Sequence, residues 1–459
     1  MVVHKISSSL LDSSSDFKRI SALISGRNIT PYSLFVISAL NGQYEALGQL
    51  AVSAQKGFPE KSWDEFSQVH TNILSELVTA SHNAHQKLLE VLLELHDLLF
   101  GISLVKECTA RTMDLIVSFG SRLSTLILKA LLETHGVDSQ ILDPSTGIIQ
   151  AKPASPFPEV NFETTGQAIK EWSKTASGNI LITGNSATTS KGVLTTLGIN
   201  GSDYSASLFA WALTAEAMII WTDTDGIPRA HPSIIPGSRH ITRMSVEEAM
   251  EMAFFGSNIL HPYTLIPLSQ AGIPLSIRNI HKPEEPGTLI TPTAPTGQSN
   301  ITGISSIPDV TLLNIEGGGM VGIPGFASRV FSALSQAHVN VIMISQASSE
   351  HSICIAIREL EVSSALISLE HELSGELKRG QIRPIEILQP CEIIAVIGEN
   401  MRGMPGLSGR VFGSAGKAGA NILTIAQGSS ERNISFAVKK EDAAKTVVSL
   451  YKEFFGEEK

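Results

Sequence analysis

The stretch Gly325-Phe326-Ala327-Ser328-Arg329-Val330-Phe331 returns as Gly406-Leu407-Ser408-Gly409-Arg410-Val411-Phe412, and Gln346-Ala347-Ser348-Ser349-Glu350 returns as Gln427-Gly428-Ser429-Ser430-Glu431. Both are displaced by 81 residues, from 325 to 406 and from 346 to 427. One displacement shared by two motifs means a duplicated module. Each copy reads strand, Gly-rich loop, helix, strand, tight turn, strand, helix, which is a small α+β unit. Two such units pair side by side and imply a binding site where they meet. A purely architectural duplication is the plainer alternative, but matching glutamines at matching strand ends are hard to justify by packing alone.

Ahead of the repeat lies Thr-Pro-Thr-Ala-Pro-Thr-Gly-Gln-Ser-Asn, residues 291–300, a linker without apolar period. The reading is therefore a first domain over 1–292, a linker over 293–302, and repeat modules over 303–386 and 387–459 whose terminal strands can be exchanged. Within the first domain strands and helices alternate: a strand at 2–5, a helix over 14–23, a strand at 32–39, helix throughout 63–104, a helix over 111–132, a strand at 180–183 and a helix over 246–255. Such alternation gives a mostly parallel sheet with helices on both faces. The apolar run 204–221 is nearly long enough to span a membrane, but Glu216 interrupts it and it divides into a helix and a strand.

The chain of 459 residues carries a formal charge of −10, and no run of Lys or Arg marks a nucleic-acid footprint. Nucleic acid and membrane are not expected as partners. Cys108, Cys354 and Cys391 are widely spaced and lack metal spacing, which fits packed thiols in a reducing, cytoplasmic compartment.

Chemistry concentrates in 198–232. Gly198-Ile199-Asn200-Gly201-Ser202-Asp203 is a glycine-rich turn feeding a helix, and a short buried strand after it ends in Thr222-Asp223. Helix N-termini offer unpaired N–H groups to anions, and strand-end acids sit at the edge of an α/β sheet where ligands bind. Alone, the triplet is an ordinary capped turn.

Its company makes the difference. Leu197-Gly198-Ile199-Asn200-Gly201-Ser202-Asp203-Tyr204-Ser205-Ala206, Trp221-Thr222-Asp223-Thr224-Asp225-Gly226, Phe255-Gly256-Ser257-Asn258-Ile259-Leu260-His261-Pro262 and the two Gln-x-Ser-Ser-Glu motifs together resemble the aspartokinase family over almost the whole chain. The resemblance is to the kinase portion of its threonine-sensitive bifunctional members. It implies a three-layer amino-acid-kinase sandwich followed by a pair of ACT domains, with phosphate transferred from MgATP to the β-carboxylate of aspartate. Such chemistry asks for alignment and charge cancellation rather than a protein nucleophile.

By the same resemblance Lys5 neutralises the transferring phosphate, Asp203 organises that lysine, Ser38 and Ser202 bind substrate, and Thr222 and Asp223 stand on the nucleotide side. Gln346 and Gln427 bind the effector, threonine by analogy. No residue is assigned as a metal ligand, and a homodimer through the ACT domains is expected.

The departures fall in the site itself. The family's Lys-Phe-Gly-Gly-Thr-Ser is Lys5-Ile6-Ser7-Ser8-Ser9-Leu10, its ammonium-binding Glu is Ser121, its carboxylate-clamping Arg is Ile199, and a Thr aligns with Tyr44. An apolar side chain cannot replace a bidentate cation. On the nucleotide side, Gly226-Ile227-Pro228-Arg229-Ala230-His231-Pro232-Ser233 lacks the family's tyrosine, aspartate and arginine, and Gly256-Ser257-Asn258 lacks its lysine. The leading reading is a threonine-regulated aspartokinase, because Lys5, Ser38, Asp203 and Asp223 all survive together; the alternatives are a catalytically degenerate amino-acid sensor acting as a regulatory subunit and a kinase for a different small acid. Arg122, Arg229 and Arg278 are the cations whose positions discriminate among them.

Overall fold

The computed structural model describes residues 1–26, 33–152, 159–256, 260–293, 300–349 and 351–456. The chain divides into two compact units. The first comprises Met1–Ile227, Thr242–Val246 and Ile259–Pro295; the second comprises Pro228–Ile241, Glu247–Asn258 and Thr296–Lys459.

In the first unit β1 (Val2–Ile6) leads to α1 (Ser14–Ser25), β2 (Leu34–Ile37) and α2 (Gln43–Ala54), then to α3 (Glu60–Leu77), α4 (Ala84–Val105) and α5 (Ala110–Thr134). Next come β3 (Ser139–Leu142), the hairpin β4 (Ala151–Lys152) and β5 (Glu159–Val160), α6 (Phe162–Ser173) and β6 (Asn179–Thr183). A second hairpin, β7 (Ser186–Thr188) and β8 (Leu194–Thr196), precedes α7 (Gly201–Ala212), β9 (Ala217–Thr222) and β10 (Arg243–Ser245), which runs directly into α8 (Val246–Phe254). The unit closes with α9 (Pro262–Ala271), β11 (Leu275–Asn279) and β12 (Thr288–Thr291).

Eight strands form one sheet in the order β10-β12-β11-β9-β1-β2-β6-β3. All neighbours are parallel except β11 with β12. On one face Ile6, Phe35, Ile37 and Trp221 pack against α1 to α5 through Phe17, Leu47, Phe66, Leu88 and Phe119. On the other face lie α6, α7 and α9. Register pairs Ile6 with both Ile37 and Trp221, so the carboxyl ends of β1, β2 and β9 meet at one edge.

The local causes are readable. Ser13 and Asp16 form a capping box that starts α1, and Thr109 accepts from the Thr112 N–H to start α5. Helix α5 has the length and composition of a membrane span, yet 78% of its most apolar window is buried within its own unit, as in a core helix. The continuous helix expected over 63–104 is broken between α3 and α4. Val78 turns extended (φ −133), and Thr79-Ala80-Ser81-His82-Asn83 makes a hydrogen-bonded turn from short polar side chains.

The second unit holds β13 (Gly303–Glu316), α10 (Phe326–Gln336), β14 (Met343–Gln346), β15 (Ser352–Arg358), α11 (Val362–Glu372) and α12 (Ser374–Lys378). Its second copy holds β16 (Glu386–Ile397), α13 (Leu407–Lys417), β17 (Thr424–Gln427), β18 (Asn433–Lys439) and α14 (Lys440–Phe455). The strands are antiparallel in the order β14-β15-β13-β16-β18-β17. Strand β13 is bent by a bulge near Asp309 (φ 57): Val310–Glu316 pair with β15, while β16 pairs with Gly303–Ile307 and, after register shifts, with Val310 and Leu312–Asn314. Ile304 therefore packs in the core of the second copy, whereas Leu313 and Ile315 pack in that of the first.

The repeat extends to its backbone contacts. A Cβ on Gly317 would meet Gln381 O at 2.4 Å, and one on Gly398, 81 residues later, would meet Asn300 O at 2.1 Å. The two segments 228–241 and 247–258, which sequence alone assigns to the first domain, cluster with this unit; Ala230 enters its core and Arg229 O accepts from Ile304 N at 2.7 Å.

Candidate functional site

Lys5, next to last in β1, faces α7 and is 6% exposed. Its Nζ lies 2.5 Å from Asp203 Oδ1 and donates to Ser7 Oγ at 3.1 Å. Asp203 sits in the first turn of α7, 4% exposed, where the helix dipole favours a carboxylate. The turn before it needs left-handed backbone at Gly198 (φ 76) and Asn200 (φ 57), which is why glycine and asparagine stand there.

Ser38, just past β2, donates to Ile6 O at 2.9 Å and stands 3.0 Å from Ser202 Oγ. Four of the expected site residues, Lys5, Ser38, Ser202 and Asp203, thus converge at the carboxyl edge of the sheet. Lys5, Ser38 and Ser202 line a cavity of about 130 Å³ with Tyr44, Glu45, Ser121, Asn185 and Ile199. Sequence reasoning missed Glu45 and Asn185. The signal for Asn185 was its position two residues past β6, at the same sheet edge.

Thr222 and Asp223 form a separate group. Asp223 Oδ1 accepts from Ser9 Oγ at 3.0 Å and from Thr222 Oγ1 at 3.1 Å, and Asp225 takes Asn279 Nδ2 at 2.6 Å and Lys282 Nζ at 2.7 Å. These acids are held by neighbours of their own unit. Among the described residues no cluster of three acid, His or Cys side chains is arranged to hold a metal ion. Ser257 and Asn258 lie outside the described residues.

The positions of the departures are equally definite. Ser121 Oγ donates to Gly184 O at 2.7 Å, and a Cβ on Gly184 would strike Ser202, so this corner is closed by backbone. Tyr44 and Asn185 line the same cavity; burial, then the charge of Asp114, raises the Tyr44 phenol above the usual value. Ile199 is 70% exposed at the cavity mouth.

None of the three arginines replaces the missing cation. Arg122 pairs with Glu94 at 2.8 Å and lies over Phe119. Arg229 lies 4.6 Å over the ring of Phe455 within the second unit. Arg278 is in register with Trp221, whose Nε1 donates to His4 Nδ1 at 3.1 Å, so it occupies the face opposite Lys5. Burial, and then the charge of Arg278, lower His4 to about 4. His261 caps α9; burial lowers its pKa and Asp203 partly offsets that.

In the second unit Gln346 ends β14 and Gln427 ends β17. Both line one cavity of about 410 Å³ together with Ile344, Ser345, Ile425, Ala426, Gly428, Asn433 and Ser435. The lining carries no charged side chain. Glu431 Oε2 accepts from the Gly403 N–H at 2.7 Å, tying the turn after β17 to the loop after β16, while Met320 and Met401 anchor the two equivalent loops in their cores. Glu350 lies outside the described residues.

Comparison with known proteins agrees with this architecture. The profile described as the amino acid kinase family matches residues 1–279, and that of the ACT domain matches 313–373 and 394–454. Over 364 residues the chain is 35% identical to an Arabidopsis thaliana chloroplastic bifunctional aspartokinase/homoserine dehydrogenase, covering 78% of this chain and 40% of that protein. The Haemophilus influenzae counterpart is 36% identical over 342 residues, 74% of this chain and 42% of its own. Escherichia coli aspartokinase III in complex with aspartate and ADP superposes with a TM-score of 0.83 at 25% identity, covering 99% of this chain and 100% of that one. The same enzyme with lysine and aspartate gives 0.75 at 26% identity, over 99% of each chain.

A parallel-sheet kinase unit joined to paired ACT modules defines a regulated small-molecule kinase architecture. The chain belongs to the amino acid kinase family, as an aspartokinase homologue with two ACT domains. It spans about half or less of the length of the bifunctional relatives named above.

Proposed function

We propose that this chain is an amino-acid-sensing member of the aspartokinase family whose transfer of phosphate from MgATP to aspartate is lost or reduced by orders of magnitude. One observation carries the reading: none of Arg122, Arg229 and Arg278 lines the cavity whose mouth holds Ile199 where the family resemblance calls for a carboxylate clamp; Arg122 pairs with Glu94, Arg229 stacks on Phe455, and Arg278 stands on the sheet face opposite Lys5. Lys5 is the cavity's cation, and Asp203 already neutralises it. A substrate carboxylate meets Glu45 on the rim and no guanidinium. Each missing charge-assisted contact is worth roughly 1.5–3 kcal/mol.

The sensor half favours a small neutral amino acid, threonine first, because its cavity joins Gln346 and Gln427 and has no carboxylate for a lysine ammonium. Association as a homodimer through the ACT domains, and a cytoplasmic location, belong to the same proposal. A second reading, a slow threonine-inhibited aspartokinase, has the intact Lys5–Asp203 and Ser38–Ser202 pairs in its favour.

Calorimetry with threonine, lysine and MgATP, followed by coupled turnover with aspartate, separates the two. The sensor reading expects threonine to bind, lysine to bind far more weakly, and turnover near background. Gln346→Ala and Gln427→Ala should each cost threonine about 1 kcal/mol. Aspartate turnover that threonine suppresses would replace the first reading by the second.

A further inference from the structure

The two ACT copies match at the glutamines of the shared cavity and differ at several other lining positions, Asn433 among them. Asn433 at the start of β18 lines it, while the residue 81 positions earlier in the first copy is Ser352, at the start of β15. Asn433 Nδ2 donates to Glu251 Oε2 at 2.9 Å, and its Oδ1 is buried without a hydrogen bond among the described residues. A buried acceptor left unmet is unfavourable, and it marks where a donor belongs. Glu251 fixes which way the amide points and polarises its carbonyl toward a stronger acceptor.

Glu251 belongs to α8, and α8 holds the second copy at further points. Glu248 Oε1 accepts from Thr302 Oγ1 at 2.5 Å, at the entry to β13, and from the Glu399 N–H at 2.8 Å, in the loop that follows β16. Phe255 O, just after α8, accepts from Ser305 Oγ at 2.7 Å. The chain enters α8 straight from β10 of the kinase sheet, and the kinase unit has resumed at His261, whose ring feels the charge of Asp203.

Resting on the sensor reading above, we infer that Asn433, braced by Glu251, is the residue through which cavity occupancy is read by α8. An ammonium or hydroxyl of a small neutral amino acid seated between the glutamines supplies the donor that Oδ1 lacks. The amide is then held from both sides, and α8 is tightened by the same act of binding. The device is asymmetric, because Ser352 offers no amide at the matching place. Glu251 is a positioning residue, acting on the ligand only through Asn433.

The test uses the full chain and L-threonine, with calorimetry for affinity and hydrogen exchange for the α8 amides. Glu251→Met should weaken threonine about tenfold and abolish the ligand-induced slowing of exchange in α8, with the thermal transition of the ligand-free protein retained. Glu251→Gln keeps an oxygen acceptor for Nδ2 and should restore affinity to within about twofold. Should Glu251→Met fail to fold, Asn433→Ser, which copies the first repeat, carries the same expectation for affinity and exchange.

Wild-type affinity in Glu251→Met, or a Glu251→Gln protein as impaired as Glu251→Met, overturns the inference while leaving the sensor standing. Threonine binding without slowed exchange in α8 also overturns it. A wild-type protein that binds no threonine removes the sensor reading and the inference together.

Discussion

The kinase cavity and the ACT cavity stand in contrast. In the first, the groups that match the family resemblance are those the fold itself uses: Lys5 and Asp203 neutralise each other out of water, and Ser38 ties β1 to the turn before α7 through Ile6 O and Ser202. Those that depart, Ile199 and Ser121, are positions where only a ligand calls for charge. In the second cavity the pattern reverses. Gln346 and Gln427 are exposed, contribute little to either core, and are nevertheless matched at both copies. Residues kept without a packing reason point to a ligand, and residues kept with one do not.

Acid should reveal the largest difference between the units. His4 and His70 are buried in the kinase unit, and burial lowers each to about 4. The unfolded chain takes up these protons near pH 6.5, the folded unit only near pH 4. The unfolded state therefore binds more protons across that window, so stability present above pH 6.5 is lost as pH falls toward 4. Each histidine contributes roughly 3 kcal/mol to this loss. All four tryptophans, Trp63, Trp172, Trp211 and Trp221, lie in the kinase unit, so their fluorescence follows its unfolding alone. Urea midpoints monitored this way should drop steadily from pH 7 to pH 4; a flat profile would mean that neither ring is held neutral by the fold.

Next in size is the ion pair. Asp203→Ala strands the Lys5 ammonium out of water and should cost about 3–5 kcal/mol in urea unfolding, while Lys5→Met combined with Asp203→Leu should recover most of that loss. A single substitution that costs under about 1 kcal/mol would show that the pair is not structural. The contrast between the cavities would then lose its first term.

These expectations rest on structure of which a good part was legible from the residues. The 81-residue displacement yielded both ACT modules and the meeting of their glutamines, because periodic identity survives translation into three dimensions. The alternation of apolar strands and amphipathic helices gave the kinase sandwich, and Gly198-to-Asp203 gave the turn that presents Asp203 to Lys5. What stayed hidden depends on partners distant in sequence. No local pattern says that Ile304 leaves its own copy to pack with Phe436 in the core of the other. Nor does one say that Arg229, three residues past the kinase motif, stacks on Phe455 near the end of the chain. The break at 78–83 was missed because leucine spacing resumes in phase after it. Glu251 carried no motif; its meaning comes entirely from Asn433, 182 residues away.

The smallest effect is the one that bears most directly on chemistry. Ile199 is 70% exposed, so Ile199→Arg removes little packing and places a guanidinium at the mouth of the 130 Å³ cavity beside Asn200 and Ser202. A bidentate pair with a substrate carboxylate contributes about 1.5–3 kcal/mol, or roughly 10- to 100-fold in aspartate affinity. Calorimetry with aspartate and coupled turnover should both register the gain, turnover less than affinity because Thr222, Asp223 and the nucleotide side are unchanged. If the arginine brings no gain, the obstacle lies deeper, where Tyr44 and Asn185 line the cavity and Ser121 closes on Gly184 O, and the cavity has changed its ligand class rather than lost one anchor. If the wild-type chain already matches the variant, the exposed clamp was never the missing part, and the Lys5–Asp203 pair must be read as catalytic after all.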